Sequence, residues 1–156
     1  MQPTNAAASR QDFAFEALDA ALREQPGHKL FTVLVIDWAR EQNRRIYTSD
    51  ALAYPCGGAK PLDRGSEFFR LVVLGGQARI CPDRQACRSA FFDHALIESL
   101  GCESAVNVPV RCKGITLGSL NLLHESGWYQ PRMIPALMEI AARAAPLLQQ
   151  QLSLSN

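Results

Sequence analysis

Apolar positions along the chain fall into two spacings, and the boundaries between them are marked by proline and glycine. Phe13, Leu18 and Leu22, with Ala14, Ala17 and Ala21, recur at helical spacing; Ser9 stands ahead of them as an N-cap and Pro26-Gly27 behind them as a stop. Residues 30–36 are short and β-branched, which predicts a buried central strand, and residues 45–48 predict its hairpin partner across a polar turn. Residues 53–64 contain prolines and a Gly57-Gly58 pair, the composition of an ordered loop. A short helix is predicted over 66–74, capped by Ser66 and stopped by Gly75-Gly76. A short strand follows at 77–81, ended by Pro82. A single helix is predicted over 86–100, with Phe91, Phe92, Ala95, Leu96 and Leu100 on one side and Gly101 as its C-terminal cap. Residues 104–110 and 115–124 form the clearest hairpin. Pro131 opens a last helix with a broad apolar face that includes Leu137, Ala141, Ala144 and Leu148, and Pro146 is expected to kink or end it.

Helix, two strands, irregular middle, strand, helix, hairpin, helix is an α+β order with a mainly antiparallel sheet. The first and last helices can share one sheet face, and the middle segments must then cover the other. At 156 residues the chain has the size of one domain. Residues 1–8 read as a flexible N-terminus and 9–152 as the folded unit.

Charge excludes more than it identifies. Sixteen basic and fifteen acidic residues give a net +1, and no basic surface is concentrated enough to neutralise nucleic-acid phosphates. No run approaches the ~20 apolar residues of a membrane span, and the N-terminus lacks the pattern of a secretory signal. The expectation is a cytoplasmic protein whose five cysteines are reduced thiols.

The segment Leu100-Gly101-Cys102-Glu103-Ser104-Ala105-Val106-Asn107-Val108-Pro109-Val110, followed by Gly114-Ile115-Thr116-Leu117-Gly118-Ser119-Leu120-Asn121-Leu122-Leu123, resembles the C-terminal hairpin of GAF domains. The loop Tyr54-Pro55-Cys56-Gly57-Gly58-Ala59-Lys60 also looks like that of small stand-alone bacterial members of the family. The resemblance spans residues 9–152. It implies a GAF-like (profilin-like) fold: a central antiparallel sheet of five to six strands, terminal helices on one face, and pocket-covering loops and short helices on the other. It further implies a ligand pocket and a homodimer through the terminal helices. The Asn-Lys-Phe-Asp-Glu signature of cyclic-nucleotide GAF domains is missing, and no Cys is followed by the His of a chromophore site.

Asn107 and Asn121 are the sharpest chemical features. Each interrupts an apolar strand, where Asn is disfavoured, and a buried amide without a partner costs about 1–3 kcal/mol. In GAF domains of known chemistry the corresponding positions face the pocket, and strand alternation puts Ser119 on the face of Asn121. The alternative is that both amides bond neighbouring backbone. Tyr54, Cys56 and Lys60 sit on the predicted lid. Lys60 could meet an anionic ligand group, or be a solvated lysine. Phe69 and Phe92 could be pocket walls or plain core, and His94 and Cys81 complete the candidate ligand-binding set. Asp93 and His94 do not form a dyad, because neighbours on a helix diverge. Cys81 and Cys87 are too far apart in sequence for a structural zinc pair.

No phosphate loop, nucleophile elbow or His-Glu-x-x-His motif is present. These residues predict no catalytic group, metal or cofactor. The expected function is a sensory or regulatory domain that binds an unidentified small molecule without catalysis and reports to a separate output protein. One alternative is a cysteine-based redox enzyme similar to free methionine sulfoxide reductase, although Asn121 and Leu123 stand where acidic pocket groups belong. Another is a dimerising scaffold with a vestigial pocket.

Overall fold

The computed structural model describes residues 3–154, and side chains from residue 14 onward. Of the N-terminus read as flexible over 1–8, Met1 and Gln2 lie outside the described residues, as does the side chain of Phe13. The first helix, α1 (Pro3–Glu24), begins well before Ser9. Its buried stripe is Phe15, Asp19 and Leu22 with Leu18 alongside, whereas Ala17 and Ala21 are exposed. The larger side chains took the inward positions, which rotates the buried stripe away from the alanines.

Six strands form one antiparallel sheet: β1 (Leu30–Asp37), β2 (Gln42–Thr48), β3 (Lys60–Pro61), β4 (Arg79–Cys81), β5 (Ser104–Cys112) and β6 (Ile115–His124), in the order β3-β2-β1-β6-β5-β4. The middle loop, predicted to be without regular structure, contributes β3 through two residues that pair with β2. The segment Phe68–Leu74 is wound as a π-helix. It begins two residues later than predicted, with Glu67 rather than Ser66 at its N-cap; the Ser66 Oγ still accepts from the Phe69 N–H at 3.1 Å.

The single helix predicted over 86–100 is two: α2 (Arg84–Ala90) and α3 (His94–Ser99). Phe91 is extended, at φ −121° and ψ 124°, and breaks the helix with neither glycine nor proline. The last helix, α4 (Ile134–Leu154), follows a 3-10 turn at Pro131–Met133 and runs on past Pro146.

Alternation along the strands sorts their side chains onto two faces. Val33, Val35, Val106, Val108, Leu120 and Leu122 pack with α1 and α4 into the main core. The opposite face carries two smaller cores. One gathers Leu30, Tyr54, Cys81, Cys87, Ile97, Cys102, Ala105 and Leu123; the other gathers Ile36, Phe69 and Val73. The functional candidates lie between them.

Candidate functional site

Register explains what lies between the two minor cores. Leu30 pairs Leu123, Leu123 pairs Ala105, and Ala105 pairs Cys81, so one apolar row crosses β1, β6, β5 and β4. Two residues along each strand, on the same face, the next row is polar throughout: Thr32, Asn121, Asn107, Arg79. All four are buried, at 5%, 9%, 2% and 6% exposure. Thr48 of β2 pairs Thr32 and extends this row.

The polar row is bonded end to end. Arg79 Nε donates to Asn107 Oδ1 at 3.0 Å, Asn107 Nδ2 donates to Asn121 Oδ1 at 2.9 Å, and Asn121 Nδ2 donates to Thr32 Oγ1 at 3.3 Å. Ser119 Oγ donates to Asn121 Oδ1 at 3.0 Å. A guanidinium can only donate, so Arg79 fixes which end of the Asn107 amide faces it. That choice fixes Asn121 in turn. The amides thus bond each other and their neighbours' side chains across the centre of the sheet, rather than backbone.

Above this row lies a cavity of about 290 Å³. Thr32, Asn107, Asn121 and Arg79 line its floor, Phe68 and Phe69 of the π-helix one wall, and Phe91, Phe92 and Asp93 another. The π-helix is held to the sheet by Thr116, whose Oγ1 donates to the Val73 carbonyl at 2.6 Å. Tyr54 anchors the loop side. Its hydroxyl donates to Asp93 Oδ2 at 2.6 Å, its carbonyl accepts from Thr48 Oγ1 at 2.7 Å, and the Arg45 guanidinium lies 4.0 Å from its ring centroid. Burial, with the Asp93 bond second, pushes the Tyr54 phenol above its ordinary value. Lys60 stands at the mouth with its Nζ 4.1 Å from the Phe92 ring centroid, and Phe92 is an exposed rim residue.

Of the candidates read from sequence, Tyr54, Lys60, Phe69, Phe92, Asn107 and Asn121 line this cavity. Four do not. Cys56 is exposed on the loop, outside the wall. Cys81 sits one row over, in the apolar core with Leu123. There it hydrogen-bonds Cys87, which holds the Cys81 thiol below its ordinary value and pushes that of Cys87 above. His94 opens α3 and is not part of the wall; the break at Phe91 places Phe91 and Asp93 along the cavity and Phe92 at its rim. Ser119 is buried behind Asn121 and reaches the cavity only through it. Sequence reasoning missed Thr32 and Arg79. Each is unremarked in its own strand, and their significance appears only when the strands are paired.

No family model matches the chain, and no curated protein matches it. Solved structures do. The GAF domain of a two-component sensor histidine kinase from Bacillus halodurans superposes with a TM-score of 0.72 at 11% identity, covering 93% of this chain and 97% of that one. A GAF domain/HD domain protein from Geobacter sulfurreducens gives 0.70 at 10% identity, covering 90% and 93%. A type II free methionine-R-sulfoxide reductase from Thermoplasma acidophilum gives 0.68 at 16% identity, covering 92% and 96%. The chain has the GAF fold.

Proposed function

We propose that this domain is a small-molecule sensor whose ligand occupies the cavity between the π-helix and the α2–α3 break. One observation carries the reading: a row of four buried polar side chains lines the floor of a cavity, between two apolar minor cores. Ligand sites combine apolar walls with a few placed polar groups in this way. An apolar row would serve folding alone better, since satisfied buried polar networks add little net stability.

The occupant bridges elements that are separate in sequence. Contact with Tyr54 and Asp93 couples the loop to the start of α3, so occupancy shifts the equilibrium between loop conformations. In this reading the protein is cytoplasmic and passes that shift to a separate partner. A redox enzyme of the methionine sulfoxide reductase kind needs a thiol at its substrate, and the cavity wall contains none of the five cysteines. The binding reading is therefore preferred.

Native mass spectrometry of the purified protein tests it. A stoichiometric mass increment that disappears on denaturation, and is lost in Leu34→Trp, supports the reading, because Leu34 lines the cavity. Bare protein that also shows no saturable response to any compound of a fragment panel overturns it.

A further inference from the structure

The hydrogen bonds of the floor are all made in one direction, and this bears on what can be bound above it. Asn107 Oδ1 is taken by Arg79. Asn121 Oδ1 is taken twice, by Asn107 and by Ser119. Thr32 Oγ1 accepts from Asn121. The amide oxygens face inward along the row, and the capacity that remains is on the donor side. Each primary amide has two N–H groups, and each of these two uses one on its neighbour. The Thr32 hydroxyl hydrogen has no acceptor among the described residues.

Arg79 adds charge to that donor set. Its side chain is 6% exposed, and only its Nε makes a hydrogen bond among the described residues. Its Nη1 lies 3.6 Å from Glu67 Oε1, beyond hydrogen-bond length, and the Glu67 side chain is 56% exposed. The guanidinium carbon sits 5.6 Å from the Phe68 ring centroid and 5.9 Å from that of Phe91. A buried cation between two aromatic rings, whose ion-pair partner is half-exposed and beyond hydrogen-bond length, is incompletely compensated. The aspartates that line the cavity accept from other donors: Asp93 takes the Tyr54 hydroxyl and Asp63 takes the Gly65 N–H.

We infer that the ligand is a small carboxylate with an apolar body, its carboxylate received by the Arg79 guanidinium and the spare N–H and O–H groups of Asn107, Asn121 and Thr32. A planar carboxylate matches the guanidinium fork and takes donors without offering any. The body lies against Phe69, Leu34 and Leu123, which also line the cavity. The volume of about 290 Å³ suits a compact acid. This inference rests on the binding reading above and names its chemical class.

The test uses the wild-type protein with matched probes: phenylacetate and hexanoate, their primary amides phenylacetamide and hexanamide, and the amines phenethylamine and hexylamine. Binding is followed by proton–nitrogen correlation spectra that include the Asn side-chain amides and the Arg Nε–H. Saturable binding of a carboxylate is expected, with the Asn107, Asn121 and Arg79 signals moving together. The matched amide should bind at least about tenfold more weakly, the factor expected for losing a hydrogen bond to a charged group. Arg79→Lys keeps the charge and loses the fork, and should weaken the carboxylate by a similar factor. The comparison among probes needs no variant and stands even where Arg79→Lys fails to fold. Amides or amines that bind as tightly as the acids overturn the carboxylate assignment and leave the binding reading intact. No saturable binding by any probe, with no molecule co-purifying, overturns both.

Discussion

Asn107 and Asn121 face each other across β5 and β6, and the amide of the first donates to the amide oxygen of the second at 2.9 Å. Both are integral to the sheet interior as well as to the cavity. Asn121→Ala removes the acceptor of both Asn107 and Ser119, leaving buried donors unpaired at about 1–3 kcal/mol each. The variant should lose about 2–6 kcal/mol of stability by urea denaturation. Asn107→Ala combined with Asn121→Ala should lose less than the sum of the two single changes, because the second change removes a partner already stranded by the first. Additive losses would show that the amides are not coupled.

Tyr54 joins the loop to the start of α3 through its bond to Asp93. Tyr54→Phe deletes the hydroxyl and keeps the ring. The expected loss is about 1.5–3 kcal/mol, as for a hydrogen bond to a charged group, with faster amide exchange at the start of α3. Unchanged exchange there would mean that Asp93 is held by something else.

Gly118 of β6 has no room for a side chain. A Cβ on it would lie 1.9 Å from the Leu34 carbonyl oxygen and 2.7 Å from Leu148 Cδ2. The first neighbour is backbone and cannot move without breaking the pairing of Val35 with Gly118. Gly118→Ala should therefore cost ~3 kcal/mol, the upper range for overpacking, and reduce the yield of folded protein. A thermal midpoint equal to that of wild type would contradict this.

Acid should destabilise the fold through His124. Its ring stacks on Trp128 with centroids 3.7 Å apart, and its Nδ1 accepts the Glu125 N–H at 2.8 Å. Burial lowers its pKa below the ordinary 6.5, with Lys29 and His28 adding to the effect and Glu125 opposing it. The unfolded chain therefore binds the proton first. The stability His124 contributes is complete above pH 6.5 and is lost as pH falls through the lower folded-state value. His124→Asn keeps an acceptor for the N–H and does not titrate. Its stability should change less with pH between neutrality and pH 5 than that of wild type, measured by chemical denaturation across the range. Parallel curves would place the acid sensitivity elsewhere.

The order of elements and the two-faced sheet were legible in the chain because apolar alternation marks strands wherever one side is buried. Asn107 and Asn121 were legible for the converse reason: a polar residue in an apolar run has to be accounted for. Thr32 was not, since threonine is an ordinary strand residue, and neither was Arg79, which lies in a three-residue strand. Their alignment with the amides depends on register, a relation between strands that no single segment encodes. The break at Phe91 was hidden as well. Phe91 and Phe92 fit a helical stripe locally, and tertiary packing overrode that preference. The same break explains why His94 read as a cavity residue and is not one.

The sheet ends in short strands on both sides: Lys60–Pro61 at one margin and Arg79–Cys81, followed directly by Pro82, at the other. Proline lacks the N–H that a further strand would need, and so short a margin offers few groups to pair with. Neither outermost strand offers a long template on which a second sheet could be continued. The brevity that leaves Arg79 at the end of the polar row also makes the outermost strands poor templates for edge-to-edge aggregation.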